Sequence, residues 1–191
     1  MYLTFDTETT GLPTKWKAPV TDVVSWPRMV QVAWLSHDAE GELISKHSHI
    51  IKPEGYRIPQ GVARVHGITT ERAVAEGEDL AEILQLFADD VTKSEYLIAH
   101  NMSFDEKIIG AEFIRKSIDN QLFEKSRLCT KNLSTNYCAI PGRYGYKWPT
   151  LTELHQKLFG EDFGNAHDAY ADAFATARCF FELKRIGVVN D

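Results

Sequence analysis

Asp6 and Glu8 stand two residues apart in a segment, residues 2–8, that alternates Leu3, Phe5 and Thr7 with Tyr2, Thr4, Asp6 and Glu8. A strand sends alternate side chains to opposite faces, so both carboxylates leave the same one. Like charges side by side repel each other. They are tolerable at a solvated strand end, or useful if they share a cation, because hard divalent ions take oxygen ligands from one or two carboxylates together with substrate phosphates. Asp105 follows a short apolar segment, Tyr96 to Ala99, and falls in the first turn of a helix predicted from Ser103 to Lys116. Ser103-Phe104-Asp105-Glu106 fits a capping box, and the helix dipole favours a negative charge there. The end of a buried strand is also where α/β sheets place their sites. His167 and Asp172, five residues apart, would point about 140° away from each other on a regular helix. They converge only if His167 lies at the loosened start of the last helix, where Asn165 as N-cap would put it, with Asp168 helping to cap.

Each group also has an ordinary explanation: a solvated strand face, a dipole-satisfied acid, an exposed helical carboxylate. The alanines at 169, 171, 173, 175 and 177 speak against a purely solvated last helix and let it approach a sheet closely.

These residues need elements to hold them. Thr10-Gly11-Leu12-Pro13 ends the first strand as a turn, and a loop with Trp16 and Trp26 follows. Residues 29–35 and 47–52 read as strands joined by a hairpin turn at Asp38–Gly41. Residues 80–91 have helical periodicity, residues 96–99 form a buried strand, and a fifth strand is expected near 127–130. Helices are expected at 150–159 and from about 165 to 186, the last with an apolar stripe of Tyr170, Ala173, Phe174, Ala177 and Phe181. Hairpin-linked strands followed by strand–helix alternation imply an α/β fold, a mixed sheet with helices packed on it.

The chain has 191 residues, 21 basic and 27 acidic, for a net charge of −6. That length suits one domain or at most two small ones, and the composition excludes a disordered chain. No apolar run approaches the ~18 residues of a membrane span. No basic region followed by an apolar stretch opens the chain, so a secretory signal is not expected. Cys129, Cys138 and Cys179, odd in number and widely spaced, argue against a disulfide framework or a zinc site, which makes a reducing, cytoplasmic setting the expectation. Net acidity argues against a passive nucleic-acid binder, but not against an enzyme whose acidic site is neutralised by metal ions.

Taken together, four segments resemble the signature motifs of the DnaQ-like (DEDDh) 3′–5′ exonucleases, the family of the epsilon proofreading subunit of bacterial DNA polymerase III. They are Asp6-Thr-Glu8-Thr-Thr-Gly-Leu12, His66-Gly-Ile-Thr69, His100-Asn-Met-Ser-Phe-Asp105 and His167-Asp-Ala-Tyr-Ala-Asp172, in the family's order and over nearly the whole chain. The resemblance implies a single exonuclease domain over residues 1–191, with a ribonuclease H-like mixed five-stranded sheet flanked by helices. It implies that Asp6, Glu8, Asp105 and Asp172 hold two Mg²⁺ or Mn²⁺ ions, one activating a water and the other stabilising the leaving oxygen. His167 matches the general base, a task that suits imidazole near neutral pH. Thr9, Thr10 and Gly11 would border the terminal nucleotide through their backbone, Leu12 would wedge against the last base, and His66 and Asn101 would line the same cleft. For His66 a structural loop histidine is the competing reading, and for Phe104 plain core.

The implied substrate is the 3′ end of single-stranded DNA, cut to 5′-mononucleotides. An exoribonuclease or oligoribonuclease shares the motifs, and a non-catalytic nucleic-acid-binding module shares the fold. Association with a DNA polymerase stays open, although no appended tether follows the last motif. The loop after Gly11 is longer than the family pattern. Between Lys125 and Thr152 there is no acidic residue, while Lys125, Arg127, Lys131, Arg143 and Lys147 interleave with Tyr137, Tyr144, Tyr146 and Trp148. That pattern suits a single strand or, equally, a basic loop with no partner.

Overall fold

The computed structural model describes residues 1–164 and 166–189. The alternating first segment becomes β1 (Tyr2–Thr9), followed by a long loop with one 3₁₀ turn at Val23–Ser25. Next come β2 (Met29–His37), β3 (Leu43–Ile50), two short helices α1 (Gln60–His66) and α2 (Thr70–Glu76), and α3 (Leu80–Lys93). β4 (Tyr96–Ala99), α4 (Met102–Lys116), β5 (Ser126–Cys129), and the one-turn helices α5 (Thr130–Leu133) and α6 (Thr135–Cys138) follow. A small hairpin of β6 (Pro141–Gly142) and β7 (Gly145–Tyr146) leads to α7 (Leu151–Phe159) and α8 (Ala169–Arg185).

The expected mixed sheet is present, in the order β3-β2-β1-β4-β5. β1 pairs antiparallel with β2 and parallel with β4, so it is the strand at which the sheet changes direction. Its two faces feed two cores. Leu3 and Phe5 pack with Leu84, Phe87, Ile109 and Phe113 of α3 and α4. Tyr2 on the opposite face packs with Phe180 and Leu183 of α8, while Ala33 and Leu35 of β2 meet Ala169 and Ala173. The small residues bring α8 down onto β2 as their pattern anticipates.

Several boundaries differ from the sequence reading. β3 begins at Leu43, not 47, because it is an edge strand set by backbone pairing (Leu35↔Lys46, Ser36↔Ser45) and its outer half buries little. α1 and α2 went unpredicted, each only seven residues long. The capping box at Ser103–Glu106 does not form. α4 starts at Met102 after Asn101 in the left-handed region, and Glu106 is held by Arg127 at 3.1 Å instead of reaching back. A capping box does form at Thr150 and Glu153. On α8 the buried set includes Ala169, Ala173, Ala177, Phe180 and Leu183, while Phe174 of the expected stripe is half exposed.

The long loop is pinned to α4. Arg115 Nη2 donates to the carbonyls of Val23 and Trp26 at 2.6 and 2.8 Å. Glu112, fully buried, accepts from Arg28 Nε and from the Met29 amide, both at 2.9 Å, and pairs with Arg115. Removing the anion would leave two guanidinium groups packed against a site built for a carboxylate. Glu112→Ala is therefore expected to cost about 3–5 kcal/mol of stability, measured by urea unfolding. A loss below about 1 kcal/mol would mean that this network does not organise the loop.

Candidate active site

The site forms where β1 outruns its parallel neighbour. The β1–β4 ladder ends at Thr4–Ile98, whereas β2 accompanies β1 as far as Thr9. Asp6 and Glu8 sit on this overhang, at the carboxyl ends of the parallel strands, and they share the α8 face as the alternation requires. The start of α4 approaches the same end from the other face. There Thr7 Oγ donates to Asp105 Oδ1 at 2.8 Å in a buried bond. Thr7 thus fixes the third carboxylate to the strand that carries the first two.

On the remaining side Gln31, directly opposite Glu8 in β2, clamps the start of α8. Its Nε2 donates to Asp168 Oδ2 at 3.1 Å, and its Oε1 accepts from the Ala169 amide at 3.2 Å. Asp168 is itself the N-cap, accepting from the amides of Tyr170 and Ala171. The cap thus lies three residues later than expected, with Asp168 itself as the N-cap. The expected cap, Asn165, lies outside the described residues. His167 precedes the helix with φ = +71°, a left-handed conformation uncommon for a side-chain-bearing residue. Its backbone N–H donates to Asp172 Oδ2 at 3.2 Å. This turn resolves the angular mismatch between His167 and Asp172, because His167 is not on the helix at all. Atoms of Glu8, His167 and Asp172 able to ligate a metal lie within 4.8 Å of one another. Asp172 Oδ1 is buried with no hydrogen-bond partner among the described residues.

The carboxylates strain against being charged. Burial, then Asp105, Asp172 and Glu8, push Asp6 well above the usual range. Glu8 is pushed up to about 8 by burial and then by Asp172 and Asp105. Burial raises Asp105 to about 7 although the Thr7 bond opposes it, and Asp172 to about 6 against the pull of His167. Four acids that resist ionising in one place, with an unpartnered oxygen among them, fit a bound divalent cation.

The substrate-side residues divide. Thr9 Oγ donates to the Gly11 carbonyl at 2.7 Å, and Thr10 exchanges bonds with the Arg28 backbone, so both shape the turn. Leu12 is 71% exposed at its tip. His66 is no loop histidine: it is the last residue of α1 and buried. Its Nδ1 accepts from the Ile68 amide at 3.1 Å, which leaves the proton on the buried Nε2. Burial holds its pKa below the usual value, against an interaction with the Thr9 backbone and helped by His167. Asn101 offers its side-chain oxygen to Lys131. Phe104, half-buried, packs on Trp16 from the long loop. Two residues escaped the sequence reading, Thr7 and Gln31. The only signal was polarity at core positions, Gln31 being buried within a strand buried along its whole length.

A mixed sheet of the ribonuclease H-like kind, with acids and a histidine gathered at the open end of its central strand, is the framework of an acid-cluster nuclease. The chain belongs to the exonuclease family whose model, named for RNase T, matches residues 3–180. It is 29% identical over 180 residues to the PolC-type DNA polymerase III of Streptococcus pneumoniae, covering 94% of this chain and 11% of that one. It is 28% identical over 186 residues to the DNA polymerase III subunit epsilon of Aquifex aeolicus, covering 95% and 79%. E. coli exonuclease I in complex with a dT13 oligonucleotide superposes with a TM-score of 0.75 at 25% identity, over 96% of this chain and 40% of that one. Another structure of that enzyme with single-stranded DNA has a zinc ion bound. The chain thus spans about a tenth of the PolC relatives it matches.

Acids with raised pKa values bind more protons folded than unfolded, so in excess chelator stability should fall as pH rises toward about 8. The depressed histidines His37, His47, His66 and His100 act in the opposite sense only below about pH 6.5. Melting between pH 7 and 8 therefore reads chiefly the carboxylates, below the range in which the buried thiols Cys138 and Cys179 add a slope of the same sign. Wild type should lose Tm over that window, Glu8→Gln should lose less, and saturating Mg²⁺ should abolish the slope. A Tm that rises with pH in chelator would contradict this electrostatic reading.

Proposed function

We propose that this chain is one exonuclease domain that removes nucleotides from the 3′ end of single-stranded DNA and releases 5′-mononucleotides. The convergence of Asp6, Glu8, Asp105 and Asp172 with His167 at the end of β1 carries this reading. The four carboxylates are the residues that would hold divalent metal, two Mg²⁺ or Mn²⁺ by family resemblance. Such ions supply Lewis-acid charge at the scissile phosphate and lower the pKa of the attacking water.

The chain's own residues do the rest. His167, held outside the helix by its left-handed backbone and its bond to Asp172, takes the proton from the attacking water. His66, its neutral ring fixed by the Ile68 amide, backs the Thr9 turn that borders the terminal nucleotide. The turn Thr9–Gly11 offers its backbone to the same nucleotide, and exposed Leu12 wedges beside its base. DNA is favoured over RNA because the relatives are DNA polymerase subunits and an enzyme solved with deoxyoligonucleotides. The polymerase relatives make a replicative polymerase the partner to test, in the cytoplasm. A purely binding module is disfavoured because all five chemical groups are present.

A 5′-labelled deoxyoligonucleotide should shorten stepwise, stop in chelator and resume with Mg²⁺ or Mn²⁺. Release of internal fragments, or faster loss of a matched RNA strand, would refute the assignment. Asp6→Asn and Asp172→Asn should each remove most turnover while apo Tm holds or rises. His167→Ala should lose 10²–10⁴-fold in single-turnover rate with Mg²⁺ affinity little changed. If metal affinity falls in proportion to rate, His167 is a ligand and not the base.

A further inference from the structure

We propose that the β6–β7 hairpin is a stacking platform for single-stranded DNA lying 5′ of the nucleotide being removed. The proposal rests on the preceding reading that the chain degrades such strands from the 3′ end. Every residue from Pro141 to Trp148 is exposed, with Tyr144 at 89% and Trp148 at 64%. The hairpin has only two residue pairs, Pro141↔Tyr146 and Gly142↔Gly145, so its aromatic rings serve no core of their own.

Cations accompany the rings. The Arg143 guanidinium lies 5.1 Å from the Tyr144 ring centre, and Lys131 Nζ lies 4.6 Å from that of Trp148. Glu106 and Glu153 neutralise Arg127 and Lys147, but Arg143 has no carboxylate partner among the described residues. In a chain of net charge −6, this is a local positive, aromatic surface. Planar rings accept bases and cations accept phosphates without regard to sequence, which is the chemistry of a single strand.

The root of the hairpin is anchored beside the carboxylates. His100, next to β4, bridges Thr130 Oγ at 2.9 Å and the Pro149 carbonyl at 3.1 Å. Lys131 joins Trp148 to Asn101, the residue from which the helix bearing Asp105 begins. A strand whose 3′ end sits among the carboxylates therefore has this platform within its onward path, and a longer strand covers more of it.

The test compares KM for mononucleotide release from dT4 and dT20, at saturating Mg²⁺, for the full chain and its Tyr144→Ser/Trp148→Ser variant. Wild type should favour dT20. The variant should raise KM for dT20 about tenfold or more, bringing the ratio of the two toward one. Arg143→Gln, which removes the cation and keeps both aromatic rings, should flatten the slope of log KM against log salt for dT20 by about 0.7. A chain that degrades both strands with the ratio and slope unchanged in the variants overturns the platform alone. A chain that releases nothing from either strand overturns the reading beneath it as well.

Discussion

Mutual repulsion among four carboxylates in a half-buried space is the constraint on which the rest of this structure depends. Left to themselves the acids would protonate or move apart. The fold prevents the second by holding each from a different direction. Asp6 and Glu8 are fixed by β1, Asp105 by α4 through Thr7, and Asp172 by α8 through the Gln31 clamp. The apolar layers on both sides of β1 give those elements their positions. Burial and hydrophobic packing thus sustain an arrangement that electrostatics alone opposes, and the conflict is relieved only when positive charge arrives.

Some backbone strain lies in the same place. His167 adopts a backbone conformation costing of order 1–3 kcal/mol, and it persists because Asp172 accepts its amide and Asp168 fixes the next residue as the cap. A regular helix through residue 167 would satisfy the backbone better and would turn the imidazole away from Asp172. Function here is traded against local regularity.

The sequence made the site more legible than its supports. Alternation places Asp6 and Glu8 on one face, while Asp105, His167 and Asp172 stand out only through the family resemblance. The sheet was readable because β1 alternates and β2 and β4 are buried, largely apolar runs. What escaped were features decided by tertiary partners. Glu106 left its helix cap because Arg127 was available, and Asn101 left its cap for Lys131. α1 and α2 are too short for periodicity to appear, yet α1 determines the tautomer of His66. Thr7 and Gln31 carry no local signal beyond their polarity, since their roles exist only between elements far apart in sequence.

The Gln31 clamp has a consequence for how this position can drift. One side chain must offer a donor to a carboxylate and an acceptor to an amide at the same helix end. Only a primary amide has both, in that orientation. Glutamate at 31 would set an anion against Asp168 and bring a further negative charge beside Glu8, whereas leucine would leave the Ala169 amide unsatisfied in the core. Conversion of this one amide to an acid, by base change or by slow chemical ageing, thus adds no bulk and breaks no covalent link. It would nevertheless unlatch the helix that carries Asp172, so the lifetime of the site is tied to the chemical durability of a residue that performs none of its chemistry.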